Sequence, residues 1–141
     1  MKVLKWIVII GIVGFLGLQL VPYGRNHVNP PVVSEPNWDS QATRDLAVRA
    51  CYDCHSNETV WPWYSNIAPV SWLVQKDVDS GRRHLNFSDW ANVREPNEII
   101  EMVQGGYMPP AQYTLMHKDA VLTAAEKDAF INGIRATIAG N

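Results

Sequence analysis

The sequence predicts an all-α domain carried behind an N-terminal transmembrane helix. Three observations predict it. No stretch sustains the period-two alternation of apolar and polar residues that a half-buried strand needs. Four segments place apolar residues at helical spacing between capping and stop signals. The sixteen residues from Trp6 to Val21 carry no charge.

The apolar segment is read first. A helix rises about 1.5 Å per residue, so sixteen residues span roughly 24 Å against a hydrocarbon core of about 30 Å. Extending the count from Val3 to Tyr23 gives 21 residues, long enough if Lys5 snorkels to the interface. Trp6 and Tyr23 stand at the two ends, where amphipathic rings favour the headgroup layer. Lys2 and Lys5 outnumber Arg25 as flanking charges, so the expected orientation keeps the N-terminus inside and exports the rest. Val21-Pro22-Tyr23-Gly24 offers no small-x-small cleavage site, so residues 1–23 read as an uncleaved anchor. Gly11, Gly14 and Gly17 are three apart and do not make a GxxxG dimerisation face.

Pro22, Pro30, Pro31 and Pro36 mark residues 24–37 as an extended Pro-rich linker. Residues 38–141 are left as the domain. Its first helix is capped by Asp39 or Ser40 and runs to about Tyr52, with Leu46 and Ala50 on one face. Ser71 caps a second, which passes through Trp72, Gln75 and Val78 and stops at Gly81. Pro96 opens a third, to Gln104, with Ile99, Ile100 and Val103 apolar and Gly105-Gly106 as the stop. Thr123 and Glu126 form a capping box for the last, with Phe130, Ile134 and Ile138 on its apolar face.

Composition excludes several functions. The 141 residues hold 12 Lys+Arg and 14 Asp+Glu, a net charge of -2. With no basic run, nucleic acid is not an expected partner. Both cysteines fall within one five-residue stretch, which excludes a disulfide framework.

That stretch is Cys51-Tyr52-Asp53-Cys54-His55, and C-x-x-C-H is the attachment signature of c-type haem. Cys51 and Cys54 lie about one helical turn apart, so both sulfurs can meet the two vinyl groups on one porphyrin edge. His55 follows directly and can ligate the iron from below. The competing readings are a Cys51–Cys54 disulfide, a thioredoxin-like C-x-x-C and a zinc site. The first leaves His55 unexplained, the second needs a βαβ context, and the third needs further ligands.

The expected sixth ligand is Met108, in Gly105-Gly106-Tyr107-Met108-Pro109-Pro110. Its glycines allow close backbone approach and its prolines stiffen the loop. Met102 reads as packing, and Met116 lies in a loop before the last helix. His84 and His117 are the alternative ligands, and an open site is the remaining choice; His27 is expected to be solvated. Trp61, Trp63, Tyr64 and Trp72 follow the motif, and their rings suit a porphyrin edge or ordinary packing. The other ring N–H of His55 needs an acceptor, for which a carbonyl near Ile67 to Pro69 is the expectation. Arg82 or Arg83 is read as a solvated charge or a propionate partner. The sequons at Asn57 and Asn86 are treated as chance.

These residues resemble a known family. Cys51 to His55, Trp61-Pro62-Trp63-Tyr64, Pro69-Val70-Ser71-Trp72, Leu85-Asn86-Phe87-Ser88 and Met108-Pro109 look like the small bacterial haem-binding domain family. The likeness extends to Tyr113, His117 and the Leu122-to-Ile138 helix. The resemblance implies a single covalently attached haem c and a cytochrome c-like helical fold. The expectation is then a monohaem c-type cytochrome, anchored to the bacterial inner membrane. It carries single electrons on the periplasmic side and meets membrane-bound or periplasmic redox proteins. It is read as a carrier rather than an enzyme. A haem-based redox or gas sensor with an open sixth site, and a haem peroxidase, are the alternatives.

Overall fold

A computed structural model describes residues 1–140; Asn141, the last residue of the expected domain, lies outside them. Among the described residues there are seven α-helices and no strand: α1 Lys2–Leu18, α2 Gln41–Ala50, α3 Tyr52–His55, α4 Val70–His84, α5 Glu98–Gln104, α6 Ala111–Met116 and α7 Ala124–Ala139. A single parallel bridge joins Ser34 and Asp89. The all-α expectation for the domain agrees with this.

The transmembrane expectation does not. Among the described residues no helix is long and apolar enough to cross a membrane, which overturns the N-terminal transmembrane helix and the single-pass inner-membrane placement. The apolar run continues past Leu18, but the helix stops there after 17 residues, roughly 25 Å of rise. Gln19 is the reason. Its amide Nε2 donates to the carbonyls of Phe15 and Ala68, at 3.1 and 2.9 Å. Its Oε1 accepts from the Ala68 N–H at 3.0 Å and from Arg25 at 2.9 Å. The side chain that would have been carried along a longer helix is committed to the domain instead. Gly24 then turns at φ 78°, where any Cβ would strike the Ser71 backbone.

Residues 25 to 37 form no helix and lie along the domain surface. Asn29 Nδ2 donates to the Thr59 carbonyl at 2.9 Å, and the Val33 and Ser34 amides both donate to the Ser88 carbonyl. His27, expected in solvent, stacks on Trp61 with ring centroids 4.7 Å apart. Its Nε2 lies 2.9 Å from the Ser65 hydroxyl.

Ser40 caps α2 by accepting the Thr43 N–H, as the sequence implies. The helix ends at Ala50 rather than Tyr52, because Cys51 leaves helical geometry at φ −128° and a separate turn, α3, begins. Helix α4 runs through Gly81 to His84 instead of stopping there. Glycine is needed inside the helix because its Cβ would overlap the Cys54 carbonyl. Helix α5 starts at Glu98, two residues after Pro96, and Gly106 at φ 73° follows it. Helix α6 occupies a segment read as loop. Helix α7 carries the expected box: Thr123 Oγ1 accepts the Glu126 N–H and Glu126 Oε2 accepts the Thr123 N–H at 2.8 Å.

The core gathers Ala47 from α2, Tyr52 from α3, Ile99 and Val103 from α5, and Phe130, Ile131 and Ile134 from α7 around Phe87. Phe87 is fully buried and stacks against Tyr52 and Trp90, with Trp38 tilted against it. Burial of rings this size is the largest apolar contribution that a small domain can make. Tyr52 sits between the two cysteines in sequence, so the same contact that fills the core also fixes the motif.

Candidate haem site

The motif is held by short local bonds. The Cys54 and His55 amides both donate to the Cys51 carbonyl, at 3.2 and 2.9 Å, closing one turn that places both sulfurs on one side. Neither cysteine is in a disulfide. Burial pushes both thiols up to about 12, with smaller contributions from Cys54 at Cys51 and from Asp77 and Asp53 at Cys54. Thiols that stay protonated are poor at disulfide exchange, which counts against a thioredoxin-like role. Among the described residues no group of three or more His, Cys, Asp or Glu is placed to hold a metal ion, so the zinc reading finds no ligand set.

His55 Nδ1 lies 3.1 Å from two backbone carbonyls, those of Gly81 and Leu85. Carbonyl oxygens only accept, so Nδ1 carries the proton and Nε2 is the unprotonated nitrogen. These acceptors come from the end of α4, not from the expected segment Ile67 to Pro69. Burial lowers the His55 pKa below its ordinary 6.5, against the opposing pull of the two carbonyls, and so keeps the imidazole in its ligating, neutral form.

Leu85-Asn86-Phe87-Ser88 grips His55 and Asn57, the end of the motif and the chain just beyond it. Leu85 offers its carbonyl to His55, Asn86 Nδ2 donates to Asn57 Oδ1 at 3.0 Å, the Phe87 amide donates to the His55 carbonyl at 2.8 Å, and the Ser88 hydroxyl accepts the Asn57 N–H at 2.9 Å. The two sequon asparagines, Asn57 and Asn86, are thus bonded to each other.

Next to the motif lies a cavity of about 440 Å³, within the usual range for small-molecule and cofactor sites. Cys51, Cys54 and His55 line it with Ala50, Leu85, Ile99, Met102, Val103 and Met108, and Pro110, Gln112 and Tyr113 add a further side. Asp53, Asp77, Glu95 and Glu98 supply the charged groups of the lining, with His84 beside them; no Lys or Arg belongs to it. Burial raises the Asp77 pKa.

The fit to a haem can be tested on these residues. Two free thiols and a neutral imidazole with Nε2 unclaimed share one turn. From α5 the lining takes Ile99, Val103 and the thioether of Met102 beside Glu98, and the loop after it adds the thioether of Met108. That donor set suits covalent porphyrin attachment and soft axial ligation.

The structure brings Cys51, Cys54, His55 and Met108 to one cavity. It does not bring the tryptophans there. Trp61 Nε1 donates to Asn29 Oδ1 at 3.1 Å, Trp63 is 74 % exposed, and Trp72 lies on the first turn of α4 away from the lining. His117 is also elsewhere: its Nε2 lies 2.7 Å from the Tyr64 hydroxyl and its ring stacks on Tyr113. Met116 is exposed. His84 and Met102 do line the cavity, the latter contrary to a pure packing role. Arg82 is half-buried and is not part of the cavity lining. It donates to the carbonyls of Ser56 and Val28, at 2.8 and 3.0 Å, and to Asn29 Oδ1 and Thr59 Oγ1, at 2.9 and 3.0 Å.

Sequence reasoning missed Gly81, whose carbonyl and missing Cβ both serve the motif, and Asp53. Asp53 Oδ1 accepts the Val60 N–H at 3.0 Å and Oδ2 accepts the Tyr113 hydroxyl at 2.7 Å. A carboxylate inside C-x-x-C-H was the available signal.

A family model described as a haem-binding domain matches residues 13–136. No curated protein and no solved structure matches the chain.

Proposed function

Because the chain belongs to the haem-binding domain family and is a haem-binding protein, we propose that it holds one haem covalently and passes single electrons to and from other redox proteins. Cys51 and Cys54 would hold the haem through thioether links, and His55 and Met108 would hold its iron. One observation carries this reading: His55 Nδ1 is fixed by the Gly81 and Leu85 carbonyls, which leaves Nε2 beside a cavity that two unpaired cysteines also line.

Haem, when bound, supplies reversible one-electron exchange at iron. The chain's own residues do the rest. The two carbonyls orient the imidazole and raise its basicity as a ligand. Ile99, Val103 and Leu85 give part of the cavity an apolar lining, whose low polarity would disfavour the more highly charged oxidised metal. Met108 lies on the loop after α5, whereas His84 and the Gly81 carbonyl both lie on α4. Met108 thus reaches the cavity from a different element than His84, which shares α4 with the Gly81 carbonyl that holds His55, and this favours Met108 as the second residue to hold the iron. A thioether in that role would favour the reduced metal relative to a second imidazole.

The test is production of the full chain in a host with the c-type maturation machinery. Denatured protein retaining the mass of one haem, lost in Cys51→Ser with Cys54→Ser, supports covalent attachment. The reduced holoprotein is expected to resist carbon monoxide, and Met108→Ala to bind it rapidly while Met102→Ala does not. Rapid binding by the unsubstituted protein refutes the six-coordinate carrier.

A further inference from the structure

The segment after α5 lines the cavity through Met108, Pro110, Gln112 and Tyr113. Its near end is tied to α5: the Tyr107 and Met108 amides both donate to the Met102 carbonyl, at 3.0 and 3.2 Å. Its far end is α6, six residues long with none of them buried. A helix of under two turns does not hold itself in water. Among the described residues, the one α6 side-chain hydrogen bond that leaves the helix is from the Tyr113 hydroxyl to Asp53 Oδ2, at 2.7 Å.

That bond is built from both sides. The Tyr113 ring is stacked on His117 with centroids 4.2 Å apart and planes 9° apart. His117 in turn meets the Tyr64 hydroxyl at 2.7 Å. The ring is thereby aimed before its hydroxyl bonds. Asp53 is aimed as well, because its other oxygen accepts the Val60 N–H. Asp53 stands between the two cysteines, so the bond joins the segment carrying Met108 directly to the turn carrying Cys51, Cys54 and His55.

We propose that Tyr113 and Asp53 are positioning residues, a latch that fixes α6 and so holds Met108 against the cavity from its far end. The inference rests on the haem reading above. Met108 is held on its near side by the Met102 carbonyl and on its far side by this latch, which the stacked His117 ring supports. Releasing the latch frees α6 from the cysteine turn, leaves Met108 held from its near side alone and admits small ligands to the iron.

The experiment uses the full-length chain with Tyr113→Phe, which keeps the stacked ring and removes one hydroxyl, Asp53→Ala, and the double variant. In holoprotein, carbon monoxide binding to the reduced state and imidazole binding to the oxidised state are expected to speed up by about tenfold or more, the scale of one lost hydrogen bond to a charged acceptor. The double variant gains no more than the larger single one, because both remove the same bond. Amide exchange is read in parallel on protein with or without haem. The Thr114 and His117 amides, bonded to the Pro110 and Tyr113 carbonyls, exchange faster in Tyr113→Phe while those of α7 do not. Unchanged α6 exchange, or ligand entry within about twofold of the parent, overturns the latch. A parent chain that takes up no covalent haem refutes the proposed function instead, and the exchange measurement still decides the latch.

Discussion

Gly81→Ala tests how α4 supports the motif. In an exposed helix interior this change stabilises by roughly 0.8–1 kcal/mol, because alanine has the higher helix propensity. Gly11, with nothing near its missing Cβ, provides that baseline in the same chain. At Gly81 the added Cβ overlaps the Cys54 carbonyl. That group is backbone and cannot rotate away, so α4 and α3 must separate. Forcing atoms into a packed contact costs about 1–3 kcal/mol. The separation also strains the hydrogen bond from His55 to the Gly81 carbonyl, a further ~1 kcal/mol. Offsetting the propensity gain leaves a net loss of about 1–3 kcal/mol. For a chain of this size that lowers the melting temperature by roughly 4 °C per kcal/mol. Thermal and urea unfolding followed by circular dichroism measure it, with Gly11→Ala as the control. A Gly81→Ala protein as stable as the parent refutes the claim that this position must lack a side chain.

Arg82→Lys keeps the charge but loses the planar fork that reaches four acceptors; urea unfolding should show a loss of about 1–2 kcal/mol, whereas Arg83→Lys should be silent. Glu126 gives a pH signature. Hydrogen bonds from the Thr123 backbone and from Arg49, the latter at 2.6 Å, pull its carboxyl down from 4.5 to about 2. Its folded pKa lies below its unfolded one, so its contribution is complete above about pH 4.5 and disappears as pH falls towards 2. The unfolded chain binds the proton first across that window. Glu126→Gln should flatten the fall of melting temperature between those limits and leave neutral pH nearly unchanged in slope; an identical acid profile in both proteins contradicts the assignment.

Much of the domain was legible because its signals are local. Thr123 and Glu126 announce α7 within four residues, Ser40 announces α2, and the alternation of Cys51, Cys54 and His55 is a chemical pattern in one turn. The features that escaped depend on partners far along the chain. Hydropathy reads Gln19 as a minor interruption, but its amide finds Ala68 49 residues away and ends α1. Gly81 reads as a helix stop until Cys54 is placed against it. The acceptors of His55 are carbonyls, which every residue possesses, so no side-chain pattern could single them out. Helix α6 was hidden by the Pro109-Pro110 pair, although proline just before a first turn also signals a start. The tryptophans after the motif suit either a cofactor edge or ordinary packing, and only the folded arrangement sends Trp61 to His27 and leaves Trp63 in solvent.

The stretch between α1 and α2 has a practical consequence for anyone trimming this protein for expression. Val28, Asn29 and Pro31 are bound by Arg82, Thr59 and Asn57, and Val33 and Ser34 by Ser88. A fragment begun at Trp38, where the proline-rich composition ends, would discard the girdle around the back of the cysteine turn. It would expose carbonyls and amides that the longer chain keeps satisfied. A serviceable shortened gene should begin upstream of His27.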